Sequence, residues 1–429
     1  MNQTFRTILA YIPVVALIIV ILSQPFVYGE IERWALIVFF VSFALDYCVN
    51  RRYRTFAWTR DKWVFVAFIV FFLMIYLWNI GGEQPRYFLK IIEQRLPYLG
   101  FGIIGILGLN DKFRLRYFAY AVIASVVLMV LFLLVKTDFQ PFEMCGETIL
   151  FNIMRRQYIN SHMLVNMYFN LALICVAYIV LNRHIGFSAK ILSGIGGCVA
   201  AFALLISEGR TGLLTSFLIV AIVLTIIVWR WKKWLLLPLY IVLFATFGVV
   251  FHFNQRMQRI VQVDDPRLVI WRLSVDLIKE RPLLGYGPVE ARRQFVERGL
   301  QDEEFCRRYA DSYFHLPIVV DGSPDKFAMH PHNAYLETIL QFGVVGLVVL
   351  LLTVLLPLIF TPTSRRLFIG LAVLAFCLQG MFESIGPQLS ALSYSIWICL
   401  WLQGRGLSQS ISGTNASTPS ESAADDSAQ

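Results

Sequence analysis

The chain has 429 residues, 58% of them hydrophobic and 15% charged, with a formal net charge of +9 and a mean hydropathy of +0.65. That composition is too apolar for a soluble domain of this size, so a soluble enzyme is excluded and a polytopic membrane protein is expected. The charge excess collects in the short connections on one side of the membrane, so it is not a nucleic-acid footprint.

Apolar runs read as twelve spans near residues 8–22, 32–49, 63–80, 97–109, 117–135, 163–181, 191–206, 213–229, 234–251, 334–360, 367–382 and 389–402. The expected fold class is therefore all-α: a polytopic membrane protein with one large, mainly helical loop between spans nine and ten. Alternate connections carry most Lys and Arg, including Arg51, Arg52, Lys112, Arg114, Lys232 and Arg365. Positive residues resist export, so these connections and both termini are placed in the cytoplasm and residues 252–332 outside. The organisation expected is 1–251 as spans one to nine, 252–332 as an exported loop domain, 333–405 as spans ten to twelve, and 406–429 as a disordered tail. That tail is rich in Ser, Thr, Ala and Asp and has no apolar pattern. The first run has no convincing cleavage site and is read as a retained helix.

Residues 87–96 mix Lys90, Glu93 and Arg95 with Phe88, Leu89 and Ile91, a spacing that suggests a short helix lying at the interface. Span seven ends in Ser207-Glu208-Gly209-Arg210-Thr211-Gly212. An arginine this near the hydrocarbon is costly unless it snorkels or meets an anion, which leaves Arg210 either an anchor for Glu208 or phospholipid, or a functional cation.

The loop opens with Asp264-Asp265 as caps and Pro266 at the first helical position, then a helix from Arg267 that Pro282 stops. Arg267 and Trp271 are four apart and share a face, whereas Arg272 points away from Arg267. The following Leu283-Leu284-Gly285-Tyr286-Gly287 must turn sharply, and the charged stretch from Glu290 to Asp325 fits a helix followed by irregular loop. Cys145 and Cys306 both fall in exported connections, where they end either as one disulfide or as two free thiols.

The loop closes on His330-Pro331-His332-Asn333 just before an apolar run. Pro331 suits the first helical position, which places His332 in the first turn, where the dipole favours an anion and disfavours an imidazolium. Two readings stand: a neutral base beside an anion site, or a pair of interfacial histidines capping a membrane helix. Arg210, Arg267, Arg272, His330 and His332 thus gather on the exported face. Guanidinium groups grip phosphate bidentately, and two of them with a helix N-terminus can neutralise a pyrophosphate while His332 takes a proton from a sugar hydroxyl. No cofactor, Cys/His zinc spacing or exported Asp-x-Asp metal motif is evident, and a metal-independent transfer is expected.

Taken together, the Ser-Glu-Gly-Arg210-Thr-Gly turn, the Arg267-x-x-x-Trp271 helix ending at Pro-Leu-Leu-Gly-Tyr-Gly, and His332-Asn333-x-x-Leu336 resemble the O-antigen ligase superfamily, which includes O-antigen polymerases and protein O-oligosaccharyltransferases. The resemblance implies a glycosyltransferase of the bacterial inner membrane, acting at its periplasmic face. Its implied donor is undecaprenyl pyrophosphate-linked O-antigen, its acceptor lipid A-core. Arg210 and Arg267 take the places of the pyrophosphate-binding arginines and His332 that of the essential histidine. His330 matches less well, and Arg272 is added from its charge. With Trp271 and Asn333 they complete the expected substrate-binding set.

Overall fold

The computed structural model describes residues 3–26, 29–77, 85–136, 162–206, 210–253, 267–311, 331–382 and 388–405. Among these the chain is all helical, apart from an isolated bridge between Arg114 and Arg405. The first nine helices are α1 (Gln3–Ser23), α2 (Gly29–Val49), α3 (Lys62–Leu73, continued by a 3-10 turn to Leu77), α4 (Pro85–Leu107), α5 (Leu115–Lys136), α6 (His162–Leu181), α7 (Phe187–Ile206), α8 (Arg210–Trp231) and α9 (Leu236–Phe253). Three polar helices follow, α10 (Arg267–Glu280), α11 (Pro288–Gln301) and α12 (Glu303–Asp311). The last three are α13 (Ala334–Phe360), α14 (Arg366–Gly380) and α15 (Gln388–Gln403).

A helix lies on each apolar run read from the sequence. By length and composition α1, α5, α6, α7, α8 and α13 suffice to cross a membrane, while α3, α9, α14 and α15 are shorter apolar helices. The protein is therefore a multi-pass membrane protein, as the resemblance implies. Helix α6 is the most enclosed of the long ones, with Tyr168, Phe169 and Ile179 fully buried. A membrane helix surrounded by protein has no lipid-facing stripe, which is why its pattern is apolar all round.

Residues 87–96 are not a separate interfacial helix. They are the first half of α4, which runs on through Pro97. Arg95 is 5% exposed, its guanidinium lying over the rings of Phe71 (5.3 Å) and Phe342 (4.7 Å) and donating to Gln341 Oε1 at 2.5 Å. Arg95 thus turns inward onto two aromatic rings and a glutamine rather than outward to the membrane surface.

The bundle has two distinct ends. At one, the Gln403 side chain of α15 receives Leu109 N–H at 3.2 Å and donates to Asp61 at 3.3 Å, and Arg405 N–H donates to Phe113 O. Asn110 reaches from there to Ala10 O of α1 at 3.0 Å. The described residues nearest both termini thus share one end. At the other lie the starts of α4, α6, α8 and α13 and the polar helices.

Helix α13 is not continuous. Twenty-seven residues extend about 40 Å, more than the roughly 30 Å of hydrocarbon. At Gly343 the backbone leaves helical angles (φ 66°, ψ −164°). Such a break strands carbonyls before it and amides after it, a serious cost where water is absent. Here the turn after α10 satisfies them: Tyr286 N–H donates to Leu340 O (2.9 Å) and Gly287 N–H to Gln341 O (2.8 Å), while Val344 N–H donates to Pro282 O (2.8 Å) and Val345 N–H to Leu283 O (3.4 Å). Gly285, at φ 68°, lies so close that a Cβ would stand 2.7 Å from Leu340 O.

Helices α10 to α12 bury a small core of their own, built of Ile270, Leu273, Leu277, Phe295 and Phe305, with Leu340 of α13 completing it. Arg272 donates to Asp302 (2.8 Å) and Glu304 (2.7 Å), tying α10 to α12. The charged stretch after Glu290 is two helices rather than one, and residues 312–330, including His330, lie outside the described residues. Asp264 to Pro266 and Cys145 also lie outside them. Cys306 is a free thiol, directed at Gly299 O and Leu300 O at 3.6 Å each.

Candidate functional site

The sequence places His332 in the first turn of a helix; the structure places it before the helix. Helix α13 starts at Ala334, and Asn333 is its N-cap, its side-chain oxygen receiving the amides of Tyr335 and Leu336 at 3.0 Å each. An asparagine cap fixes a helix start more firmly than a proline at the first position, because it satisfies two orphan amides at once. The cap's Nδ2 donates to Met381 O at 3.0 Å, which fastens the segment to the end of α14. Tyr335 adds a second tie, its hydroxyl donating to Cys377 O at 3.1 Å.

His332 therefore occupies the residue before the cap with φ at 48°, a left-handed conformation uncommon outside glycine. Its ring is partly exposed. What holds this bend is Trp271: the indole N–H donates to Pro331 O at 3.1 Å, and its ring lies 6.2 Å from that of Phe382. Arg267 begins α10 one turn before Trp271, on the same face, and is partly exposed. So Arg267, Trp271, His332 and Asn333 are brought to one end of the bundle.

Arg210 is the first residue of α8, and the structure describes its backbone alone. The helix start is pinned there: Asn170 Nδ2 donates to Gly212 O at 3.1 Å, and a Cβ at Gly212 would meet Asn166 Cβ at 2.6 Å. Both asparagines are in the first half of α6, whose far end packs Tyr178 against Phe368 and Trp401. The start of α8 consequently shares the end that carries His332. Arg272 is drawn away to Asp302 and Glu304. These two carboxylates hold its guanidinium above the usual range, Glu304 contributing most.

One neighbour of the site is missed by the motif reading. Gln341 joins three parts, taking a hydrogen bond from Arg95, donating to Glu337 Oε1 at 3.1 Å, and giving its backbone carbonyl to Gly287. The signal for it was a glycine inside an apolar run too long for one crossing. Below the break, Tyr286 donates to Glu280 Oε2 and Arg298 to Oε1, both at 2.7 Å. The Tyr286 hydroxyl, followed by Arg298, holds the Glu280 carboxyl below the usual range; burial and then Glu280 push the phenol up to about 12.

An all-helical membrane bundle with a polar helical loop docked into a broken helix is the class this chain defines. Residues 195–351 match the family described as O-Antigen ligase. A protein of Rickettsia conorii named "Putative polysaccharide ligase" is 31% identical over 85 residues, which cover 20% of this chain and 17% of that relative's length. The region that holds α8, α10 and the start of α13 is thus the part of the chain that is similar to the O-antigen ligase family, and the chain spans less than a fifth of the length of the relative it matches.

Proposed function

We propose that the protein is an O-antigen ligase: it moves O-antigen polysaccharide from undecaprenyl pyrophosphate to a sugar hydroxyl of lipid A-core at the periplasmic face of the bacterial inner membrane. In this reading twelve helices cross the membrane, both termini are cytoplasmic and residues 252–332 form the periplasmic loop domain. Arg210 and Arg267 bind the pyrophosphate as planar forks, and their fixed charge stabilises the leaving group. His332 accepts the acceptor hydroxyl's proton as that oxygen attacks the anomeric carbon. The bond from that carbon to the pyrophosphate oxygen breaks, releasing undecaprenyl pyrophosphate. Asn333 and Trp271 shape the pocket by fixing the bend at His332, His330 is assigned to substrate binding by its place in the sequence two residues earlier, and Arg272 holds the donor-side helices together. The chemistry needs no metal ion.

The observation that carries this reading is the Trp271–Pro331 hydrogen bond, because it sets the helix that begins at Arg267 beside the bend at His332. Deleting the gene tests it by electrophoresis of lipopolysaccharide together with a probe for undecaprenyl-linked polymer. Bare core with long polymer accumulating on undecaprenyl is the expected result. Core bearing a single repeat would assign the polymerase reaction instead. Unchanged lipopolysaccharide would remove both and turn attention to protein glycosylation.

A further inference from the structure

At the end of the bundle opposite His332, α1, α2 and the connections following α2 and α4 enclose a cavity of about 520 Å³. Arg6, Arg52, Lys62 and Lys112 line it, against the carboxylates Asp46 and Asp111. Asp46 is fully buried at the back and already committed: Asn50 donates to it at 2.6 Å, Asn110 at 2.9 Å and Arg52 at 3.3 Å. Arg52 also donates to Gly108 O, which fixes its fork in the wall. Burial lowers the Arg52 guanidinium from its usual range and Asp46 opposes that effect. Lys112 bonds Asp111 at 3.0 Å, and Arg6 is exposed at the mouth. The wall therefore keeps an excess of positive charge over its two acids.

Beside this cavity, along the outer face of α1 and α2, runs an apolar groove of about 750 Å³ lined by Tyr11, Val15, Ile19, Trp34, Ala35 and Val38. Thr7 lines both spaces, and Lys112 Nζ lies 5.6 Å from the ring of Tyr11. From Thr7 to Ile19 a helix rises about 18 Å, close to the thickness of one hydrocarbon leaflet, roughly 15 Å. A basic polar head space that meets an apolar channel of that length has the two-part shape of a phospholipid.

We propose that this is a binding site for an anionic membrane phospholipid, its phosphate in the cavity among Arg6, Arg52 and Lys112 and an acyl chain along α1 and α2. Basic pockets between membrane helices recognise anionic headgroups through such charge, each cation near the surface strengthening binding. The site is separate from the proposed transfer reaction.

Native mass spectrometry of the detergent-purified full chain tests it, with phosphatidylglycerol and phosphatidylcholine as probes and inorganic phosphate as competitor. Phosphatidylglycerol should be retained in preference to phosphatidylcholine, and the double change Arg6→Ala with Lys112→Ala should weaken its retention roughly thirtyfold. Ala35→Phe, which fills the groove and leaves the basic wall intact, should weaken retention of both lipids. Displacement of the lipid by inorganic phosphate at equal concentration would mean a soluble anion belongs there and overturn the proposal. So would unaltered lipid retention in both variants, or a preference for phosphatidylcholine.

Discussion

At the scale of single residues, the bend at His332 separates two roles that the sequence leaves entangled. A left-handed backbone costs a non-glycine residue about 1–3 kcal/mol, so glycine at this place relieves strain while removing the imidazole. His332→Gly should therefore abolish glycan transfer and leave the melting temperature equal or slightly higher; a protein that keeps half its activity would eliminate the general-base role. His330→Ala should be milder. Arg210→Lys or Arg267→Lys should each lose most activity in a transfer assay, since an ammonium does not reproduce a bidentate fork. EDTA should leave wild-type activity intact, and inhibition reversed by a divalent ion would defeat the metal-free mechanism. Residue types were legible in the chain because arginines and histidines in the connections opposite the Lys- and Arg-rich ones are few and fall in short motifs. Their setting was less so: a proline competes with an asparagine for the helix start, and only a tertiary bond from Trp271 settles which turn His332 occupies.

At the scale of elements, every apolar helix could be read from its own run, because a membrane helix closes its backbone hydrogen bonds locally. The broken helix could not, because its partners lie some fifty residues earlier in the chain. Gly343→Ala puts a Cβ 2.0 Å from Leu283 O and requires a side chain at φ 66°. The expected loss is more than about 3 kcal/mol, seen as a detached, protease-sensitive loop with no transfer activity, even though no catalytic group has been touched. Gly285→Ala should act the same way. Acid should loosen the same region through Glu280. Its carboxyl sits below the usual range in the folded protein, so its contribution is present at neutral pH and is lost as pH falls below that range. Limited proteolysis of wild type and Glu280→Gln across pH 3–7 checks this: wild type should become cleavable on acidification, while the variant should vary little. Arg95 shows a different kind of illegibility, since a cation on an amphipathic stretch gives the same pattern whether it faces phosphate or a half-buried glutamine.

At the scale of the whole molecule, all the chemistry proposed for transfer lies at one end and the basic lipid cavity at the other, so damage to either should leave the other assay unaffected. The free thiol of Cys306 bears on how the loop is secured. Among the described residues it is held by a clamp of main-chain bonds and a small core. Alkylating the denatured, non-reduced protein should accordingly label all seven cysteines; five labels would mean a bridge. Composition announced the membrane class at once, since no soluble core needs so many apolar residues. The arrangement of helices was not written there, because apolar faces in lipid do not name their neighbours.

The break in α13 also makes this helix dependent on a segment synthesised before it. Taken out as a peptide of residues 331–360, it has nothing to occupy its stranded carbonyls and amides, and Gly343 is free to return to helical angles. The peptide should then heal into one rod of about 40 Å and tilt to fit the bilayer. Oriented-sample NMR on a peptide labelled at Val344 and Val345 would record that tilt. In the intact protein, the same two amides should instead report a kink held from outside the helix.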